Sequence, residues 1–90
     1  MASHRVFTGV TLDVWQRVKE RSAREHGTVY EPPSGPEGAS NTPTPVGPIV
    51  LGFSYDESRG TVQYTIQSKP LLVGEDLIWR TIGKSIDECK

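Results

Sequence analysis

The stretch IVLGFSYDESRGTVQYTIQSK, from Ile49 to Lys69, restricts the fold of this chain more than any other. Ile49, Leu51, Phe53 and Tyr55 alternate with Val50, Gly52, Ser54 and Asp56, and Val62, Tyr64 and Ile66 alternate with Thr61, Gln63, Thr65 and Gln67. A period of two is that of a strand with one buried face. A loop over Glu57–Gly60 sets Tyr55 opposite Val62, Phe53 opposite Tyr64 and Leu51 opposite Ile66. Directly opposed residues point to the same face, so this register gathers every large apolar residue on one side. Gly60 suits the positive-φ position that such loops often need. The other face, rich in Thr and Gln, is expected to be wet.

An apolar sheet face must be covered, and two segments have the period to do it. TLDVWQRVKERSAREHG reads as a helix with Thr11 or its predecessor as N-cap, Asp13 in the first turn and Gly27 as the left-handed stop. Leu12, Trp15, Val18, Ser22 and His26 fall on one face, with Val14 at its edge. GEDLIWRTIGKSIDECK reads as a second helix, with Glu75 and Asp76 at its N-terminus and Trp79, Ile82 and Ile86 on one face, Ile78 and Cys89 at the margin. His4–Thr11 is rich in β-branched and aromatic residues and reads as a strand, and Thr28–Glu31 as a short extended piece stopped by Pro32-Pro33. The expected fold class is α+β: a two-layer sandwich in the order β-α-β-β-β-α, mainly antiparallel, with both helices on one face of the sheet and each offering one Trp. At 90 residues the chain is expected to form a single domain, residues 1–90.

With Val14-Trp15 in the helix after the first strand and an amphipathic helix closing the chain, this order resembles an abbreviated helix-grip domain. It is similar in layout also to small proteins associated with polyester granules. A full helix-grip domain has more strands and a longer closing helix.

Tyr30 to Pro48, YEPPSGPEGASNTPTPVGP, holds six of the seven prolines, and no Lys or Arg falls between Arg24 and Arg59. PSGP and PVGP are both PxxP, a polyproline II signature, but they lack the flanking base that such ligands usually carry. The span 32–48 exceeds the roughly 12–15 residues of an ordinary connection, and it is read as a mobile Pro/Gly-rich loop.

The chemistry is sparse. His4, His26 and Cys89 stand singly and far apart, so no zinc spacing occurs; no Gly-rich phosphate loop and no nucleophile elbow is present. No cofactor, metal or catalytic residue is assigned. His26 as a general base would need a converging carboxylate, and it is read instead as suiting the end of its helix. Arg17, Arg21 and Arg24 form a basic strip, read as a solvated face rather than an anion site. Ten Lys and Arg against eleven Asp and Glu give a net charge of −1, which argues against nucleic acid as the principal partner. A single cysteine excludes an internal disulfide, no segment has the length of a membrane span, and a reducing cytoplasm is the expected compartment.

Two functional readings follow. PLLVG is apolar where a connection is normally polar. It is read first as tucking under the second helix, and otherwise Leu71, Leu72, Val73 and Leu77 form a surface for a protein partner or for self-association. On that basis the leading expectation is a non-catalytic interaction module, with the open edge at Thr28–Glu31 as a further surface. The alternative is a small apolar-ligand binder, its pocket between sheet and helices formed by Trp15, Phe53, Tyr64 and Trp79.

Overall fold

The computed structural model describes residues 4–32 and 35–90. Its elements are β1 (His4–Phe7), α1 (Leu12–His26), β2 (Val29–Glu31), β3 (Glu37–Thr42), β4 (Ile49–Asp56), β5 (Thr61–Ser68) and α2 (Glu75–Cys89). The strands form one antiparallel sheet in the order β1-β5-β4-β3-β2, giving an α+β fold with the helices packed on one face.

The central hairpin has the register its alternation demands: Tyr55 opposite Val62, Phe53 opposite Tyr64 and Leu51 opposite Ile66. Beyond Leu51 the pairing slips, Val50 meeting Ser68, so a bulge bends the strands at this end of the sheet. Gly60 adopts φ 65°, and its carbonyl accepts from Val10 N–H at 2.8 Å. That bond ties down the segment after β1, which is shorter than its composition suggests: Val10 is fully buried but lies outside the strand. Helix α1 begins at Thr11, whose hydroxyl accepts from Val14 N–H at 3.2 Å, and ends at Gly27 in the left-handed conformation with φ 69°. Its buried residues are Val14, Trp15 and Val18; Leu12, expected on that face, is exposed because Val14 takes the inward position in the first turn. In α2, Ile78, Trp79, Ile86 and Cys89 are buried, while Ile82 is half-buried.

One expectation is corrected. Residues 37–42 lie within the span read as a mobile loop, and they form β3, an interior strand paired with β2 on one side and β4 on the other. EGASNT contains weak strand formers, and its conformation is set by the hydrogen-bonding partners on both edges rather than by propensity. What remains of the connection is short. Residues 43–48 turn back to β4 with Gly47 N–H donating to Thr44 C=O at 3.1 Å, which places PVGP in a turn. Pro33 and Ser34, and with them the centre of PSGP, lie outside the described residues.

The core is aromatic and lopsided. Trp15, 2% exposed, stacks on Tyr55 with ring centroids 5.3 Å apart and meets Phe53 at 5.4 Å and Tyr64 at 6.2 Å. Trp79 packs against Phe7 at 6.5 Å, with the Arg5 guanidinium 5.6 Å above its ring. All these rings lie over β1, β5 and β4, where the inward residues are large.

Candidate functional site: an apolar cavity over the small-residue strand

The inward positions of β3 are Gly38, Ser40 and Thr42, opposite Phe53, Leu51 and Ile49. Alternation puts these three on the helix side of the sheet, and none has the volume to reach a helix. Tyr30, opposite Ser40 on β2, leans across them to meet the edge of Phe53 at 5.7 Å and Trp15 at 6.4 Å. The rest of the space stays open.

The helices do not close over it. Arg21 of α1 pairs with Glu88 of α2 at 3.0 Å, and Arg17 donates to the Cys89 carbonyl at 3.2 Å. These contacts join the C-terminal end of α2 to the middle of α1. Between the C-terminal half of α1, the N-terminal half of α2 and the β2-β3-β4 end of the sheet lies a half-open cavity of about 360 Å³. Val18 and Ser22 form one wall, Ile78 and Ile82 the second, and Ser40, Leu51 and Tyr64 the floor. Ile82 is half-buried because it faces this space rather than a packed neighbour. Val46, Val73, Leu77 and His26 stand around the mouth.

The polar groups in the cavity are almost all uncharged. Thr28 and Thr42 share a hydrogen bond at 2.7 Å between their hydroxyls. Burial raises the Tyr30 hydroxyl above the ordinary tyrosine range, with the Ser22 hydroxyl acting in the opposite sense. Burial raises Tyr64 much further, assisted by the proximity of Tyr30, so both phenols stay protonated. The Tyr55 hydroxyl, by contrast, donates to Val10 C=O at 2.9 Å on the filled side. Tyr64 has no such protein partner among the described residues, where no fully enclosed side-chain polar atom is left unpaired. Its hydroxyl therefore opens on the cavity. Among the described residues no Asp, Glu, Lys or Arg lines the space.

The structure separates the aromatic residues named from the sequence. Tyr64 lines the cavity; Trp15, Phe53 and Trp79 belong to the packed half of the core and do not. Of the candidate partner surface, Val73 and Leu77 stand at the cavity mouth, while Leu71 and Leu72 are 98% and 85% exposed beside it. Within PLLVG, Val73 packs against the core, while Leu71 and Leu72 do not tuck under α2. Lys69 holds this connection by donating to Val73 C=O at 2.8 Å, and a Cβ on Gly47 would lie 3.3 Å from Pro70, so the two connections at the mouth touch. The residues missed from the sequence include Thr28, Tyr30 of β2 and Ser40 and Thr42 of β3, together with Val18, Ile78 and Ile82 of the helices. The available signal was the run of small residues at every second position, Gly38, Ser40, Thr42.

The basic strip on α1 is tied up in ion pairs: Arg17 with Asp13 at 2.7 Å, Arg21 with Glu25 at 2.9 Å, and Arg24 with Glu20 at 3.7 Å. Such exposed pairs contribute little to stability, but they satisfy the charges locally. His26 stands at the cavity rim, and its neighbour Glu25 is paired with Arg21 rather than lining the space. Among the described residues no group of three or more His, Cys, Asp or Glu is placed to hold a metal, and no helix is long and apolar enough to cross a membrane. Cys89 is free and buried.

In class, then, this is a two-layer α+β protein whose sheet and helices enclose a half-open apolar cavity. No family model, curated protein or solved structure matches the chain.

Proposed function

We propose that the protein binds a small apolar molecule, without catalysis, in the cavity between its sheet and helices. The observation that carries this reading is the size of the cavity relative to the domain. Protein interiors are normally filled to crystal-like density. A closed, dry void of 360 Å³ would cost about 9 kcal/mol at ~24 cal/mol per Å³. The whole stability of a domain this size is only about 5–13 kcal/mol. Opening the mouth to water lowers that cost but leaves the half-buried Ile49, Val73 and Ile82 and the exposed Val46 and Leu77 in contact with solvent. An apolar ligand removes these surfaces from water, and the volume falls within the roughly 300–1,000 Å³ of small-molecule sites.

Thermal unfolding with a panel of apolar compounds tests this. A ligand at a hundred times its Kd stabilises by about 2.7 kcal/mol, which for a domain of this size raises Tm by roughly 10 °C or more. A panel of one- and two-ring compounds and medium-length chains that leaves Tm unmoved contradicts the reading.

The near-complete exposure of Leu71 and Leu72 supports a second reading, contact with a protein partner or a second copy through the tip formed with Val73 and Leu77. Sedimentation is expected to show association that Leu72→Asp abolishes; a wild-type monomer with the same partners as the variant counts against it. A reducing cytoplasm suits a chain whose single cysteine is buried and free.

A further inference from the structure

We propose that the ligand is uncharged, an apolar ring or chain compound bearing a hydroxyl or carbonyl oxygen, and that the hydroxyls of Tyr30 and Tyr64 meet that oxygen inside the cavity. This rests on the cavity reading above and specifies its ligand.

The charge inventory supplies the first part. Among the described residues lining the space there is no Asp, Glu, Lys or Arg, and His26 stands at the rim with its residue exposed. The nearest base in the mouth connection, Lys69, does not line the cavity and is occupied by the Val73 carbonyl at 2.8 Å. A carboxylate drawn inside would lose its hydration with no cation to replace it, and an ammonium group would meet no anion. Burying an unpaired ion costs far more than burying a hydrogen-bonded neutral group.

The placement of the two phenols supplies the second part. Tyr30 comes from β2 and Tyr64 from β5, with β3 and β4 between them in the sheet, yet both line this cavity and Tyr30 is close enough to raise Tyr64. Both remain protonated at neutral pH because burial disfavours the phenolate, so each offers an O–H donor. Ser22 and Ser40 flank them with hydroxyls of their own. The lower walls are aliphatic. An apolar cavity of roughly 150 Å³ takes a benzene, so 360 Å³ admits about two rings.

The test uses naphthalene, acetylnaphthalene, naphthoate and naphthylmethylammonium, titrated at neutral pH against wild type, Tyr64→Phe and Tyr30→Phe. Acetylnaphthalene is expected to bind at least tenfold tighter than either ion and about three- to tenfold tighter than naphthalene. That second advantage should fall to near unity in one or both phenylalanine variants, which keep the aromatic ring. Naphthoate or the ammonium compound binding as tightly as acetylnaphthalene overturns the inference, and so does an acetyl preference that survives in both variants. Naphthalene binding with no preference for the acetyl compound overturns it too, but leaves the cavity reading standing. If no compound binds, both fall.

Discussion

Trp15→Ala is expected to lower the stability of the domain by about 3–5 kcal/mol, the range for removing a buried aromatic side chain from a packed core. The ring is 2% exposed and meets four others: Tyr30, Phe53, Tyr55 and Tyr64, at centroid distances from 5.3 to 6.4 Å. Through this side chain α1 engages strands β2, β4 and β5 together. The remaining structure has little freedom to collapse into the gap, because the surrounding rings are held in place by their own strands and the adjacent small-residue strand already leaves a cavity. Against a total of about 5–13 kcal/mol, this loss leaves a marginal domain. Urea unfolding followed by circular dichroism measures it: the midpoint falls by roughly 1–3 M with the slope unchanged. A loss under about 1 kcal/mol would mean that α1 is not held to the sheet through Trp15.

Ser40→Leu is expected to have the opposite profile, with binding lost and the fold kept. Ser40 is 3% exposed on the floor of the cavity, and a leucine there projects into space that is already empty. Overpacking a filled core costs typically 1–3 kcal/mol, but filling a void carries no such strain and adds apolar contact. The expected stability change is therefore within about 1.5 kcal/mol. Affinity for a two-ring ligand should drop at least a hundredfold, since the ligand and the leucine compete for one volume. Asn41→Leu is the matched control, on the outward face of the same strand. It should leave binding unchanged. Equal affinity in Ser40→Leu and wild type would place the ligand elsewhere.

These two substitutions also mark what was legible in the sequence. The hairpin was readable because its large apolar residues alternate and its turn ends in Gly60, so the register followed from the requirement that one face be buried. Both helices were readable from period and caps, Thr11 and Gly27 giving α1 its ends. β3 was not. Gly38, Ser40 and Asn41 favour turns when read locally, and only the strands on either side make a ladder of them.

A pocket between sheet and helices was expected, but most of its lining was misassigned for a related reason. Sequence reasoning selects large aromatic residues as ligand contacts, but in a small core large residues fill space, and Trp15, Phe53 and Trp79 do so. A cavity arises where side chains are too small to meet, which requires knowing what stands opposite them. Tyr64 does line the cavity because it sits at the boundary between the packed half and the open half. The exposure of Leu71 and Leu72 depended in the same way on tertiary structure, on the path of the connection from β5 to α2 and its contact with Gly47 through Pro70.

The central claim is that an apolar ligand enters between the sheet and the helices. Amide chemical-shift mapping on titration with acetylnaphthalene tests it most directly. The account predicts saturable shifts at Ser22, Thr28, Ser40, Leu51, Ile78 and Ile82, with Gln63, Thr65 and Asn41 on the outer face of the sheet unmoved. Shifts concentrated on that outer face, or none at saturating ligand, would contradict it.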